Sequence, residues 1–393
     1  MSLWCSLVLL TGGTAASAQS VSLFGGRVRF AGELSGTISP RDEGYFNYSD
    51  YGTNVLRLFR ADLTLEARLA RFASLLADAR SDNLGSPRVY ALYLRLHPWP
   101  GRPLDLQAGL VPPVFGAFLR RRYASENPLP SVPLAYQYLT DLRDDAIPAT
   151  AEQLLAKRGR GWLVSYPVGS PGAKPGVPLV AGERWDAGVE LRIGREPLSL
   201  AVAVTQGSPS RPVIEDGNDG KMVSGRLAWI PGPSLVLGVS AASGDFLTRS
   251  VTSALPQPAP RGFRQDLLGA DAQWSQGYWI LRAEILWSRW ALPPLEETRI
   301  TAPLSAYAGF LEARYKIRPG FYAAARLERL AFSRIDSTLG RQEWDAPVTR
   351  LEAGLGFVPQ RYALLKASWQ HDRRDGGYVR QSDLLVAQLV LWF

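Results

Sequence analysis

The chain carries one cysteine, Cys5, and two histidines, His97 and His371, in 393 residues. Cys5 lies in the N-terminal leader described below, so the mature protein has no thiol and holds its fold without disulfides. Two histidines and no other cysteine exclude a Cys/His metal cluster and leave few positions for a Ser-His-Asp site; neither a metal nor another cofactor is expected. Also missing is an uninterrupted apolar run of about 18 residues, which excludes a helical integral membrane protein. Charge of one sign does not dominate: 44 Lys and Arg stand against 36 Asp and Glu, for a net charge of +8. Nucleic acid is set aside as a partner, because no basic stripe with interleaved aromatics stands outside the pattern that follows.

What is abundant is alternation. After residue 26, segments of about ten residues with period two follow one another, each bounded by Gly, Pro, Asn, Asp or Ser. Sixteen strands are expected, at 27–38, 56–69, 72–81, 88–97, 103–111, 184–194, 198–207, 221–230, 234–243, 265–275, 278–290, 305–317, 321–333, 348–358, 361–372 and 383–393. The connectors have a second period. Short ones such as 70–71 and 276–277 alternate with long polar ones such as RDEGYFNYSDYGTN and DRRDGGYVRQS, and the longest runs from 112 to 183. Short turns on one side and long external loops on the other fit an all-β, up-and-down transmembrane barrel of the bacterial outer membrane. Residues 1–18, MSLWCSLVLLTGGTAASA, carry no charge, hold an apolar centre and end on Ala16, Ser17 and Ala18. They read as a cleaved secretory signal peptide, leaving 19–393 as one barrel domain.

Short repeats identify the two faces. LEARL at 65–69 returns as LEARY at 311–315, RLERL at 326–330 and LEAGL at 351–355. Residues i and i+2 share a face on a strand and diverge on a helix, so these are strand sequences. The charged positions gather on one face: Arg60, Asp62, Glu66, Arg68, Glu190, Arg192, Arg282, Glu284, Glu312, Arg314, Arg326, Glu328, Arg350 and Glu352. In a soluble sandwich that face would meet water and the apolar face a second sheet. In a membrane barrel the apolar face meets lipid and the charged face becomes pore wall. Tryptophans near strand ends, among them Trp99, Trp185, Trp229, Trp274, Trp287, Trp290 and Trp392, favour the membrane barrel with its two aromatic girdles. So does the last strand, DLLVAQLVLWF, whose terminal Phe393 resembles the insertion signal that the barrel-assembly machinery reads.

LDLQAGLVPPVFGAFLRRRYASENPLPSVPLAYQYL, residues 104–139, resembles the stretch of the phosphate-selective porin O/P-like family where a strand reaches a Gly-x-x-x-x-Pro-Phe-Gly motif and enters the long third loop. The matching residues are Gly109, Pro113, Phe115 and Gly116, with Val114 as one extra residue. AVAVTQGSPS, 201–210, is similar to a later strand end of that family, with Gln206 in place of Asn. The resemblance implies an outer-membrane porin, a third loop folded into the lumen, and a homotrimer as the assembly. Basic and acidic residues nearly balance on the inward face, which departs from the cationic ladder a phosphate pore needs.

The loop's own length points inward as well, since 112–183 far exceeds an ordinary connection and needs a packed partner. Thr150 and Gln153 form a capping box ahead of AEQLLAKR, Gly159 offers a C-cap, and GWLVSYP reads as an extra strand. Arg120, Arg121, Arg122 and Arg143 then face Asp141, Asp144 and Asp145 across a constriction, where opposed charges order polar solutes. The other reading of these charges is a solvated loop surface or a lipopolysaccharide contact.

The expected function is a passive channel for small hydrophilic solutes with a weak anion preference. Its partners are outer-membrane lipid and lipopolysaccharide, the barrel-assembly machinery, and small polar or anionic solutes. A plugged barrel with a structural, adhesive or lipid-handling role is the rival. An outer-membrane hydrolase would need a nucleophile beside His97 or His371, and no enzyme is expected.

Overall fold

A computed structural model of the chain describes residues 20–48, 53–99, 101–121, 123–182, 185–215, 217, 220–255, 262–293, 300, 302–338 and 340–393. The leader at 1–18 and Arg122 lie outside these residues. Sixteen strands wind up and down a closed barrel. They are β1 Val28–Ile38, β2 Phe59–Ala70, β3 Ala73–Asp82, β4 Arg88–Leu96, β5 Leu104–Val111, β6 Asp186–Arg195, β7 Leu198–Thr205, β8 Met222–Gly232, β9 Leu235–Asp245, β10 Arg264–Gln276, β11 Trp279–Trp290, β12 Leu304–Arg318, β13 Phe321–Phe332, β14 Val348–Gln360, β15 Ala363–Arg374 and β16 Gln381–Trp392. Each corresponds to one expected segment, with ends displaced by no more than three residues.

Closure is made at β1, which pairs antiparallel with β2 (Gly36 opposite Phe59) and with β16 (Leu34 opposite Leu391). β16 stops short of the start of β1, and a short strand, Val21–Leu23, covers the edge that remains, with Val21 opposite Phe30. The ladder therefore runs all the way round, the condition for placing strands in hydrocarbon.

The alternation resolves into two surfaces. Leu311 is 55 % exposed on the outside of β12, while Arg326 on the inside of β13 is fully buried. Near the short turns an aromatic belt forms, with Trp279 against Tyr315 at 4.6 Å and Phe321 against Phe357 at 6.4 Å. Trp229 belongs to it, 48 % exposed. Two tryptophans expected in the girdles do otherwise. Trp290 is fully buried and meets Trp344 edge-on at 5.8 Å, and Trp185 is buried against Tyr90 at 5.6 Å. Both sit at the long-loop end, where strands stop following the outer surface and inward packing decides orientation.

The largest apolar cluster lies inside the barrel. It packs Phe118, Leu134, Tyr136 and Leu154 of the third loop against Leu286, Phe310, Leu330 and Val348 of the wall. Within the loop a helix spans Ala151–Leu155, capped by the Thr150 hydroxyl accepting from the Gln153 amide at 3.3 Å. The chain turns at Gly159, whose φ of +71° suits glycine. The expected extra strand GWLVSYP shrinks to one bridge, Val164 with Lys174. Tyr166 turns away to donate to the Asp141 carbonyl at 2.8 Å, and Pro167 has no amide with which to continue a ladder.

Candidate functional site

The site is the lumen as narrowed by the third loop, and the loop enters through glycines. At Gly109 a Cβ would stand 2.3 Å from the Leu92 carbonyl, with φ at +130°. At Gly116 (φ +62°) it would stand 2.1 Å from the Glu284 carboxylate, so only glycine lets the chain lie on that group. Ser240 accepts from the Gly116 amide at 3.0 Å by its hydroxyl oxygen. Glu284 accepts from the Ala117 and Phe118 amides and, at 2.5 Å, from the Tyr136 hydroxyl.

The loop then crosses to the opposite wall and returns. Arg121 donates to Glu312 at 2.9 Å, Tyr123 meets Thr64, and Glu33 accepts from the Ala124 amide at 2.7 Å. Lys366 donates to the Ala124 carbonyl, and Glu328 accepts from the Leu134 amide, both at 2.6 Å. Arg326 lies at the centre of this seat, bridging Glu328 at 2.8 Å, Glu352 at 3.1 Å and Glu312 at 3.3 Å while donating to the Ser131 carbonyl. Arg350 binds Asp372 at 2.7 Å and the Phe46 carbonyl at 3.1 Å. Such buried charges are tolerated because each is paired or hydrogen-bonded.

The wall consequently divides. On β11 to β14, Glu284, Glu312, Arg326, Glu328, Arg350 and Glu352 are buried under the loop, where an open wall was expected. Arg282 joins Glu312 at 3.0 Å, and Arg314 lies over the Tyr322 ring at 4.4 Å. On β2 to β6, Arg60, Glu66 and Arg192 stay partly open and Arg68 is exposed. Ion pairs line this side as well: Arg60 with Asp82 and Asp62 with Arg80 across β2 and β3, both at 2.7 Å, and Glu190 with Arg192 along β6.

The expected constriction residues separate in the same way. Arg120 ends a short 3₁₀ turn, Phe118–Arg120, with its side chain exposed in the lumen. Desolvation by the surrounding loop and wall, reinforced by Arg226 and Arg192, lowers its pKa to about 10. Arg121 reaches the same space but is tied to Glu312. Arg143, Asp141, Asp144 and Asp145 do not face a passage, which corrects the expectation. Arg143 is buried within the loop, donating to the Val164 and Gly172 carbonyls and to Asp145. Asp144 pairs with Arg211, and Asp145 also holds Lys174 at 2.5 Å. Asp141 is fully buried beside Asp345, which accepts from the Asp141 amide at 3.1 Å and from the Gly159 amide at 2.9 Å. Burial first, and the neighbouring Asp345 second, push the Asp141 carboxyl well above the usual carboxylate range. Tyr123, Ser131, Tyr136 and Asp345, which anchor the loop, carry no sequence signal beyond their polarity.

Of the two histidines, His97 contacts Asp105 beside a short turn, and His371 meets Asp383 at 2.9 Å while stacking on the outward-facing Trp369. No protein-family model matches the chain, and no curated protein sequence matches it. Solved structures do. The outer membrane channel DcaP of Acinetobacter baumannii aligns over 93 % of this chain and 97 % of its own at 10 % identity, TM-score 0.57. The fold is the porin fold. OmpF of Salmonella typhi aligns over the same shares at 10 % identity, TM-score 0.54. An anion-selective porin from Comamonas acidovorans aligns over 93 % of this chain and 99 % of its own at 10 % identity, TM-score 0.51.

Proposed function

We propose that the protein is a passive channel of the bacterial outer membrane that passes small hydrophilic solutes with a weak preference for anions. One observation carries the reading. Arg120 projects from an inward-folded loop into the open side of a charged lumen, within electrostatic reach of the Arg192–Glu190 and Arg226–Asp271 ion pairs. Charges of both signs around confined water orient polar solutes, and one exposed guanidinium tips the balance toward anions. The apolar outward face and the aromatic belt support a barrel set in lipid, and in this reading the short turns lie on the periplasmic side. Export through a cleaved leader, assembly through recognition of Phe393, lipopolysaccharide contact and a homotrimer belong to the same reading.

Planar-bilayer recording tests it. Ohmic single channels with a reversal potential displaced toward anions in a salt gradient are expected. The salt-bridged half of the lumen under the loop favours the plugged barrel as second reading, and a correctly folded protein without conductance would establish that one.

A further inference from the structure

Three of the long loops meet at one place on the rim. The first, 39–58, follows β1, the third brings its turn at 158–162, and the last, 375–380, follows β15. Arg374 knots them together. It is buried, lies 4.5 Å over the Phe46 ring, and donates to the Gly44, Gly376 and Val379 carbonyls at 3.1, 3.2 and 2.9 Å. A Cβ on Gly159 would stand 2.9 Å from the Gly377 amide, so the third and last loops touch backbone to backbone. Beneath the knot, Arg350 of β14 donates to the Phe46 carbonyl. The knot thus roofs the half of the lumen that the third loop fills, whereas Arg120 neighbours Arg192 of β6 and Arg226 of β8.

Phe46 points into this roof and is fully buried, but the rings beside it, Tyr45, Tyr48 and Trp162, are only half-buried. Tyr45 stacks on Trp162 with centroids 5.2 Å apart and planes 9° from parallel, and Tyr48 leans on both at 4.9 and 4.4 Å. Tyr45 holds its place with φ at +54°, a conformation that so large a side chain adopts only where its surroundings impose it. Next to the trio the exposed Arg160 lies 4.3 Å over the ring of Tyr378, which is 83 % exposed on the last loop. Among the described residues, the Tyr45 and Tyr48 hydroxyls and the Trp162 indole N–H meet no hydrogen-bond partner, and the Arg160 guanidinium meets no carboxylate.

We propose that these rings form a binding platform for a saccharide built of pyranose rings. The C–H bonds on the face of such a ring carry the positive polarity that an aromatic face attracts, and its equatorial hydroxyls reach the tyrosine hydroxyls, the indole N–H and Arg160 at the edges. Other ligands match less of this surface. A planar ring cannot enter between Tyr45 and Trp162, which already lie on each other; Arg160 repels a cation; and an alkyl chain leaves the polar edges unanswered. The platform stands apart from the Arg120 passage, so it binds whether or not the barrel conducts.

The probe is cellotriose, whose β-linked glucose rings present C–H bonds on both faces, titrated against the full barrel in phosphatidylcholine nanodiscs by saturation-transfer NMR. Saturable binding is expected, with transfer to the ring C–H protons and an affinity about tenfold or more above that of sorbitol, which has the hydroxyls without the ring. Trp162→Ala should weaken binding about tenfold, equivalent to about 1.4 kcal/mol, and Trp162→Phe should retain most of it. Tyr378→Ser should weaken it about threefold. A ring so exposed contributes little to folding, so this variant decides even where Trp162→Ala assembles poorly. Tyr278→Ala, which removes a ring 62 % exposed at the short-turn end, should leave binding unchanged. Unsaturable binding, equal binding of sorbitol, full affinity in Trp162→Ala or in Tyr378→Ser, or an equal loss in Tyr278→Ala overturns the platform.

Discussion

Arg120 sits where one side chain can change what crosses the lumen. Lowered only to about 10, it stays cationic at neutral pH. Two charges about 7 Å apart in water-like surroundings interact by roughly 0.6 kcal/mol, attractive for an anion and repulsive for a cation, so Arg120→Ser should lower the anion-to-cation permeability ratio by a factor of about 8. The reversal potential reads this directly, and near 1 M salt, where screening shortens to about 3 Å, the difference should almost vanish. On the opposite surface Leu311, 55 % exposed, tests the lipid assignment. Leu311→Arg should cost about 2–4 kcal/mol of folding stability in vesicles, whereas Ser74→Glu, inward beside Arg68 and Arg95, should cost little. Equal penalties would refute the assignment of faces. Face was legible residue by residue because strand side chains alternate strictly. The fate of Arg143 was not. Its sequence neighbours Asp141, Asp144 and Asp145 suggest a charged surface, and only the folded loop brings the Val164 and Gly172 carbonyls to its guanidinium.

Among elements, the strands and the third loop differ in how local their causes are. Each strand follows from its own period and its bounding turn residues, which is why all sixteen fall close to their expected limits. The loop is held by distant partners, Glu33, Glu284, Glu328 and Asp345, whose contacts span from 91 to 204 positions in sequence. Asp141 and Asp345 join this loop to the 333–347 loop, with Arg374 and Tyr138 close by. A carboxyl whose folded pKa is raised stabilises the fold while protonated. That contribution is complete below the unfolded value of about 3.9 and is lost as pH rises through the raised one. The loop should therefore loosen on the alkaline side, seen as faster proteolytic cleavage within 112–185. Asp141→Asn, which keeps the shape and a donor, should weaken that pH dependence at a cost below about 1 kcal/mol. Asp345→Ala strands the buried Asp141, Gly159 and Ala346 amides and should cost roughly 3 kcal/mol or more. Cleavage independent of pH in the unaltered protein would refute this account of the pair.

At the scale of the whole molecule, a barrel exists only when its first and last strands meet, and that seam is short. β1 and β16 pair over six positions, from Glu33 opposite Trp392 to Ile38 opposite Ala387. Phe393 extends the seam by donating its amide to the Gly32 carbonyl at 3.0 Å and accepting from the Gly32 amide at 3.2 Å. Its ring lies where a Cβ on Gly32 would come within 2.5 Å, so Gly32 and Phe393 fit as a pair. Deleting Phe393 removes both backbone bonds and the ring that covers them, and it shortens the seam that turns a sheet into a tube. Export should be unaffected, while the fraction of heat-modifiable, membrane-integrated barrel should fall. Gly32→Val attacks the same seam from the other side while leaving the C-terminal residue in place. If Phe393 acts through closure, both changes should slow folding of the purified chain into vesicles, where no assembly machinery is present. If it acts only as a recognition signal, the deletion should fold normally in vesicles and fail in cells, and Gly32→Val should assemble in cells as the unaltered protein does.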